Sequence, residues 1–374
     1  MRIGIDGREL AAGARTGIGR YVTELLGAAS GEGHECLVYG DRQTLLPAAL
    51  PGVTLRILDS RWTRLYDQAL LPRRLAQDRI TIFLSPYYKA PLLAPCPVVL
   101  TIHDLYFIRY PGRRRLGADI ARTWLARLYA RRAARIIADS ESSKRAIVAL
   151  LRVKPWNVTV IPVALGAEFK PVPLREEVKR RYGVTPPYVL YVGNFKPHKN
   201  LARLMSAYAK LPTALRGSHQ LVLAGCDESN QPPLTSQARA LGIADRVVMP
   251  GRIEDRDLPA LYSGCALFVL PSLMEGFGLP LLEAMACGAP VVAANRAALP
   301  EVAGEAALLV DPEDESALAS AIARVASNPG LRDSLTRRGL TRASEFSRDR
   351  TAGRVLALLR EITETRRREA VEAA

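Results

Sequence analysis

Two doubly wound α/β domains are what the sequence predicts, and three observations lead there. Short apolar runs of strand length alternate with helix-length amphipathic patterns along nearly the whole chain, the signature of largely parallel sheets covered on both faces. The alternation breaks once, at about residues 165–187, where GAEFKPVPLREEVKRRYGVTPP is rich in proline and charge. At 374 residues the chain is also too long for one comfortable core and suits two domains. The expected organisation is a first domain over residues 1–170, a second over 184–346, and a closing helix over 347–374 that crosses back to the first.

Residues 2–6 (RIGID) read as a buried strand, and GARTGIGRY then supplies a glycine loop before a helix running to about Ser30. Strand, glycine loop and helix together open a phosphate-binding unit. Gly17 and Gly19 lack the G-x-G-x-x-G spacing of dinucleotide folds, however, so the pair is only a candidate. Further strands are expected at 35–39, 53–58, 80–84, 97–102, 135–138 and 157–162. The run 97–102 ends on His103 and Asp104, and the carboxyl ends of strands are where open α/β sheets bind ligands. A histidine in such a place is as often a satisfied structural residue as a functional one. Asp104 either orients the imidazole or caps the next segment. In ADSESSKRAIV a serine caps the following helix.

After the break, strands are expected at 188–193, 220–225, 246–251, 265–272, 290–295 and 306–311. YVGNFKPHKNL sets His198 and Lys199 in a loop just before a helix. Lysine there meets a diphosphate as a point charge, or else simply faces solvent. The stretch 271–288, PSLMEGFGLPLLEAMACG, carries the most chemistry. Glu275 precedes the turn Gly276-Phe277-Gly278, Leu279 and Pro280 lead into a helix opened by the proline, and Glu283 is read into its first turn. The positive end of that helix suits an anion, leaving both carboxylates free for hydroxyl groups. A tight strand-to-helix turn with solvated acids is the plainer alternative. Asp255 and Asp257 have the Asp-x-Asp spacing of a metal site but read as acids at a helix start, and no other His, Cys, Asp or Glu cluster has metal spacing. Helices follow at 314–327 and 329–345, then a last amphipathic helix whose final dozen polar residues are expected to fray.

A formal charge of +15 implies an anionic partner. No helix-turn-helix, zinc-finger or RNP-like signature accompanies it, which argues against specific nucleic-acid binding. Residues 109–135 hold nine arginines among Trp124, Tyr129 and several leucines, and residues 61–74 repeat the mixture. Both are either basic amphipathic helices for an anionic membrane face or solvated helix faces that cover a sheet. No apolar run approaches the roughly 20 residues that span a bilayer, and MRIGIDGREL lacks the apolar core of a secretory signal. A cytoplasmic place is therefore expected, peripheral on the inner face of the cell membrane if the basic segments bind lipid. Five cysteines scattered singly suggest buried thiols rather than disulfides or zinc.

GIGRY (17–21), TIHDL (101–105), ADSESSK (138–144), VIPVALGAEF (160–169), YVGNFKPHKN (191–200) and EGFGLPLLEAMACGAPVVAAN (275–295) occur in this order. Together they resemble the retaining glycosyltransferases of family 4 along essentially the whole chain. The resemblance implies the GT-B architecture, two Rossmann-like domains facing across a cleft. It implies that Glu283 binds the nucleotide ribose, that Glu275 with Gly276, Phe277, Gly278 and Leu279 holds the donor sugar and phosphates, and that Lys199 meets the diphosphate. Gly17 belongs by this resemblance to the loop that closes over the phosphates, and His103 lies near the reacting sugar, so that His103, Glu275 and Lys199 are the catalytic candidates. Asn194 stands in the donor loop where the family usually has an arginine. Y-x-x-P after Ser-Pro (85–91) and RLYDQALLP (64–72) look most like members that use GDP-mannose. The implied reaction moves mannose from GDP-mannose, a co-substrate, to a hydroxyl of a glycan or lipid-linked acceptor, with neither metal nor cofactor. Sugar-nucleotide epimerases share the architecture and form a second reading. A non-catalytic scaffold subunit of the same fold is a third, supported only by Asn194.

Overall fold

The computed structural model describes residues 1–374 apart from 11–16, 47–48, 59–62, 106–107, 109–115, 226–230 and 373–374. The chain divides into two compact units, Met1–Ala164 with Ser347–Ala374, and Leu165–Phe346.

In the first unit, β1 (Arg2–Asp6), β2 (Glu35–Gly40), β3 (Val53–Ile57), β4 (Ile82–Ser85), β5 (Val98–Ile102), β6 (Arg135–Ala138) and β7 (Val158–Val160) form a parallel sheet in the order β3-β2-β1-β4-β5-β6-β7. In the second, β8 (Tyr188–Val192), β9 (Gln220–Ala224), β10 (Val247–Gly251), β11 (Leu267–Leu270), β12 (Val291–Ala294) and β13 (Ala307–Val310) form another, ordered β10-β9-β8-β11-β12-β13. Central strands such as VVLTI (β5), LFVL (β11) and VVAA (β12) are buried at every position. Helices on both faces demand that, which is why these strands read as continuous apolar runs. Each sheet reverses its order once, between β1 and β4 and between β8 and β11. Crevices outside the carboxyl ends of the strands open at such reversals.

The helix Arg348–Glu372 belongs to the first unit, where Val355, Leu356, Leu359 and Ile362 share a buried cluster with Val22, Leu25 and Leu26 of the helix Gly17–Gly31. Its polar end does not fray as expected. ETRRREAVE continues the helix to Glu372 with its side chains exposed, and its glutamate, arginine and alanine content favours that. The segment around 61–74 departs from a regular helix. Turns at Thr63–Leu65 and Leu71–Gln77 are α-helical, but Tyr66–Leu70 between them forms a π turn in which the Leu71 amide donates to the Tyr66 carbonyl. Pro72 has no amide hydrogen to offer, and the wide turn absorbs the missing bond.

Cys36, Cys265 and Cys287 are buried free thiols and Cys96 is half-buried; Cys226 lies outside the described residues. Burial pushes Cys36 up to about 11 and Cys96 and Cys287 up to about 12, so these thiols stay protonated and unreactive near neutral pH.

Candidate functional site

Two sets of side chains collect at the carboxyl edges of the sheets, one in each unit. In the second unit, the loop after β8 turns through Pro197–Lys199 and passes into the helix Leu201–Ala209. Asn200 takes a left-handed conformation between them, and its side-chain amide donates to the carbonyls of Pro271 at 3.1 Å and Pro312 at 2.7 Å. The Leu273 amide donates to the His198 carbonyl at 2.8 Å. These bonds tie the loop after β8 to the loops after β11 and β13, and the Lys199 amino group lies 2.7 Å from the Glu275 carboxylate. Both side chains are only 11% exposed. A buried pair of this kind gains little net stability over apolar packing, so stability alone does not account for it.

Beyond Glu275 the chain turns sharply at Gly278, whose φ of +105° an L side chain rarely adopts. A β-carbon there would also lie 2.6 Å from a methyl of Leu299. The helix Leu279–Ala286 follows with Pro280 at its second position. Because Leu279 takes the first position, Glu283 falls one residue beyond the first turn, correcting its expected place. Nor is either carboxylate free, as the sequence suggested. Glu275 is held by Lys199, and Glu283, buried, accepts the Tyr262 hydroxyl at 2.9 Å. Phe277 is buried edge-on against Phe346, whereas Gly276 and Leu279 are half-buried. Asn194 is exposed, and its side-chain oxygen accepts the Lys196 amide at 3.3 Å, so it closes the loop on itself. Asp257 accepts from Arg181 at 2.8 Å and from the Tyr182 hydroxyl at 2.9 Å, a structural use of that acid.

In the first unit, β5 and β6 pair in register with Ile102 beside Ala138. The next residue on each strand therefore meets the other, and His103 Nδ1 lies 2.8 Å from an Asp139 carboxylate oxygen. Asp139, not Asp104, is the orienting partner. The Tyr21 ring, from GIGRY, packs nearly perpendicular to the imidazole with ring centres 5.5 Å apart, while the Tyr21 hydroxyl bonds that of Thr101 at 3.1 Å. Burial pushes the His103 imidazole down, yet the charge and hydrogen bond of Asp139, helped by Asp104 and Glu9, outweigh it and leave the group above its ordinary value. Its Nε2 is buried without a hydrogen-bond partner among the described residues. Buried polar atoms are rarely left so, which makes Nε2 a candidate for a ligand contact. Gly17 is the exposed first residue of its helix; the loop before it, 11–16, lies outside the described residues.

The family model for glycosyltransferase family 4 matches residues 15–165, and that for glycosyl transferases group 1 matches residues 175–342. The chain belongs to glycosyltransferase family 4. The first of these two matches contains His103 and Asp139, and the second contains Lys199, Glu275 and Glu283. Among relatives of this family 4 chain, the O-antigen chain mannosyltransferase B of Escherichia coli is 34% identical over 215 residues, 57% of this chain and 56% of that protein. A D-inositol 3-phosphate glycosyltransferase of Acidothermus cellulolyticus is 30% identical over 299 residues, 74% of this chain and 64% of that one. The family 4 chain thus spans less than two thirds of the length of either relative. A sucrose-phosphate synthase structure from Thermosynechococcus elongatus superposes with a TM-score of 0.78 at 22% identity, covering 98% of this chain and 100% of that one. That likeness concerns the fold, which is the GT-B type with two Rossmann-like units.

Proposed function

We propose that this chain is a retaining, metal-independent glycosyltransferase that moves mannose from GDP-mannose to a hydroxyl of a glycan or lipid-linked saccharide. The observation that carries the proposal is the Lys199–Glu275 pair, held at the carboxyl edge of the second sheet beside a glycine-capped helix start. In this reading Lys199 exchanges Glu275 for the donor diphosphate. As the bond from the anomeric carbon to the phosphate oxygen breaks, Lys199 and nearby backbone N–H groups stabilise the charge that develops on the leaving diphosphate, the role a metal ion fills in other transferases. Glu275, released, accepts hydroxyl hydrogens of the sugar, and Glu283, oriented by Tyr262, accepts those of the ribose. The departing phosphate oxygen takes the proton of the acceptor hydroxyl as that oxygen bonds the anomeric carbon on the same face, so configuration is retained. His103 of the first unit donates from Nε2 to a substrate, and excluding water limits loss of the donor to hydrolysis.

Mannose as the sugar is supported by the O-antigen chain mannosyltransferase among the relatives. The expected result is that the purified protein releases GDP from GDP-mannose faster than UDP from UDP-sugars, with EDTA without effect and an α-linked product when an acceptor is supplied. Faster release of UDP would overturn the donor assignment, and an epimerised free sugar would favour an epimerase instead.

A peripheral place on an anionic membrane is part of the same proposal. Ile120 and Trp124, one turn apart on the helix Leu116–Arg132, are 63% and 61% exposed. Arg122, Arg131 and Arg132 are exposed on the same helix, while no helix among the described residues is long and apolar enough to cross a membrane. Vesicles containing anionic lipid should carry the protein upward in flotation and neutral ones should not. Trp124→Ser is expected to weaken the association by about tenfold, the worth of one buried indole. Equal flotation with both lipids would contradict it and leave the arginines as a solvated helix face.

A further inference from the structure

A cleft of about 340 Å³ lies in the first unit, walled by the π turn, the segment after β4 and the helix Leu116–Arg132. Asp67 comes from the π turn, Tyr88 and Lys89 from the segment after β4, and Arg122, Leu125 and Tyr129 from the helix. The two arginine-aromatic stretches of the sequence thus meet around one hollow, within the range of small-ligand pockets. It is tied to both strands at the sheet reversal. Asp67 is paired at 2.8 Å with Arg8, whose guanidinium also bonds Asp6 at the end of β1 at 3.0 Å. The Ser85 hydroxyl at the end of β4 donates to the Lys89 carbonyl at 2.6 Å and folds that segment back. His103 follows the neighbouring strand β5, at the same edge of the sheet.

The wall chemistry is specific. Asp67 is only 4% exposed, yet it lines the cleft, and Arg8, lying 4.3 Å over the Tyr66 ring, holds it there. The Tyr66 hydroxyl beside them is buried without a hydrogen-bond partner among the described residues. A buried carboxylate fixed by a guanidinium accepts sugar hydroxyls, and tyrosine rings give flat apolar faces that suit the C–H face of a pyranose. Lys89 and Arg122 add two cations to the same hollow. We infer that this cleft binds the acceptor saccharide, a pyranose bearing an anionic group, with its ring against Tyr88 and Tyr129, its hydroxyls on Asp67 and its anion on Lys89 and Arg122. The inference rests on the transferase reading, and it gives the basic segments a substrate as well as a surface.

Isothermal titration calorimetry with α-D-mannose 1-phosphate, methyl α-D-glucuronide, methyl α-D-mannoside and inorganic phosphate tests it. At least one of the two anionic sugars should bind saturably, and the tighter of them tells a phosphate from a carboxylate. That binding should survive Lys199→Ala, which removes the donor-side cation, and should weaken by about tenfold or more in Lys89→Ala and in Asp67→Asn. The neutral mannoside should bind about tenfold more weakly than the anionic sugar. Lys89, half-buried, keeps the test readable if removing the Asp67 charge beside Arg8 impairs folding. No saturable binding by either anionic sugar, equal affinity in Lys89→Ala, or inorganic phosphate binding as tightly as the sugar phosphate would overturn the inference. Titration of GDP in parallel reads the donor site alone, so failure there leaves the result for the cleft distinct.

Discussion

Lys199→Ala is expected to lower the turnover of the nucleotide sugar by about two to three orders of magnitude. Stabilising the leaving diphosphate is an interaction made in the transition state, and removing one preorganised donor of this kind costs roughly 3–4 kcal/mol of barrier. A second consequence follows from the burial of Glu275, whose side chain is 11% exposed beside Lys199. Without the lysine that carboxylate is left unpaired in a poorly solvated place, which should cost about 3 kcal/mol of stability. The double variant Lys199→Ala with Glu275→Gln removes the orphaned charge, so it should regain most of the melting temperature and none of the rate. Single-turnover kinetics and thermal melts separate the two effects. A variant that loses stability but turns over normally would show the pair to be structural only.

Asp139→Asn is expected to slow the reaction by about tenfold to a hundredfold at neutral pH and to move its pH profile toward acid. In the native protein Asp139 holds His103 above its ordinary value against the effect of burial. In the proposed reaction a protonated imidazole donates from both nitrogens, Nδ1 to Asp139 and Nε2 to a substrate. Activity should fall as pH rises through the raised value, and with asparagine that fall should begin at lower pH, because burial alone pushes the group down. Stability follows the same sign. A raised folded-state value adds stability that is complete below the unfolded value of about 6.5 and is lost as pH rises through the folded one. The melting-temperature difference between native protein and variant should therefore be largest at about pH 5 to 6 and shrink above neutrality. A difference independent of pH, with an unmoved rate profile, would assign Asp139 to packing.

The strands were legible because buried parallel strands must be apolar on both faces, and VVLTI, LFVL and VVAA are short apolar runs set between helix-length patterns. The site residues were legible as types but not as partners. Lys199 and Glu275 are 76 positions apart, and only the neighbouring of β8 and β11 across the reversal brings them together. Sequence proximity offered Asp104 either as an orienting partner of His103 or as a cap for the next segment, whereas the register of β5 with β6 selects Asp139. That register is a long-range pairing that local pattern does not encode. The acceptor cleft was hidden for another reason. The π turn at Tyr66–Leu70 interrupts the helical period at Pro72, and it turns Asp67 inward where an unbroken amphipathic pattern reads only a basic face.

Titrating GDP into the native protein, Lys199→Ala and Glu283→Ala by calorimetry reads the donor site of the second unit most directly. Saturable binding to the native protein is expected, weakened by about a hundredfold without the Lys199 charge and by about tenfold without the Glu283 carboxylate that Tyr262 orients. GDP binding of equal strength in all three proteins, or none in the native protein, would contradict a donor site built on the Lys199–Glu275 pair.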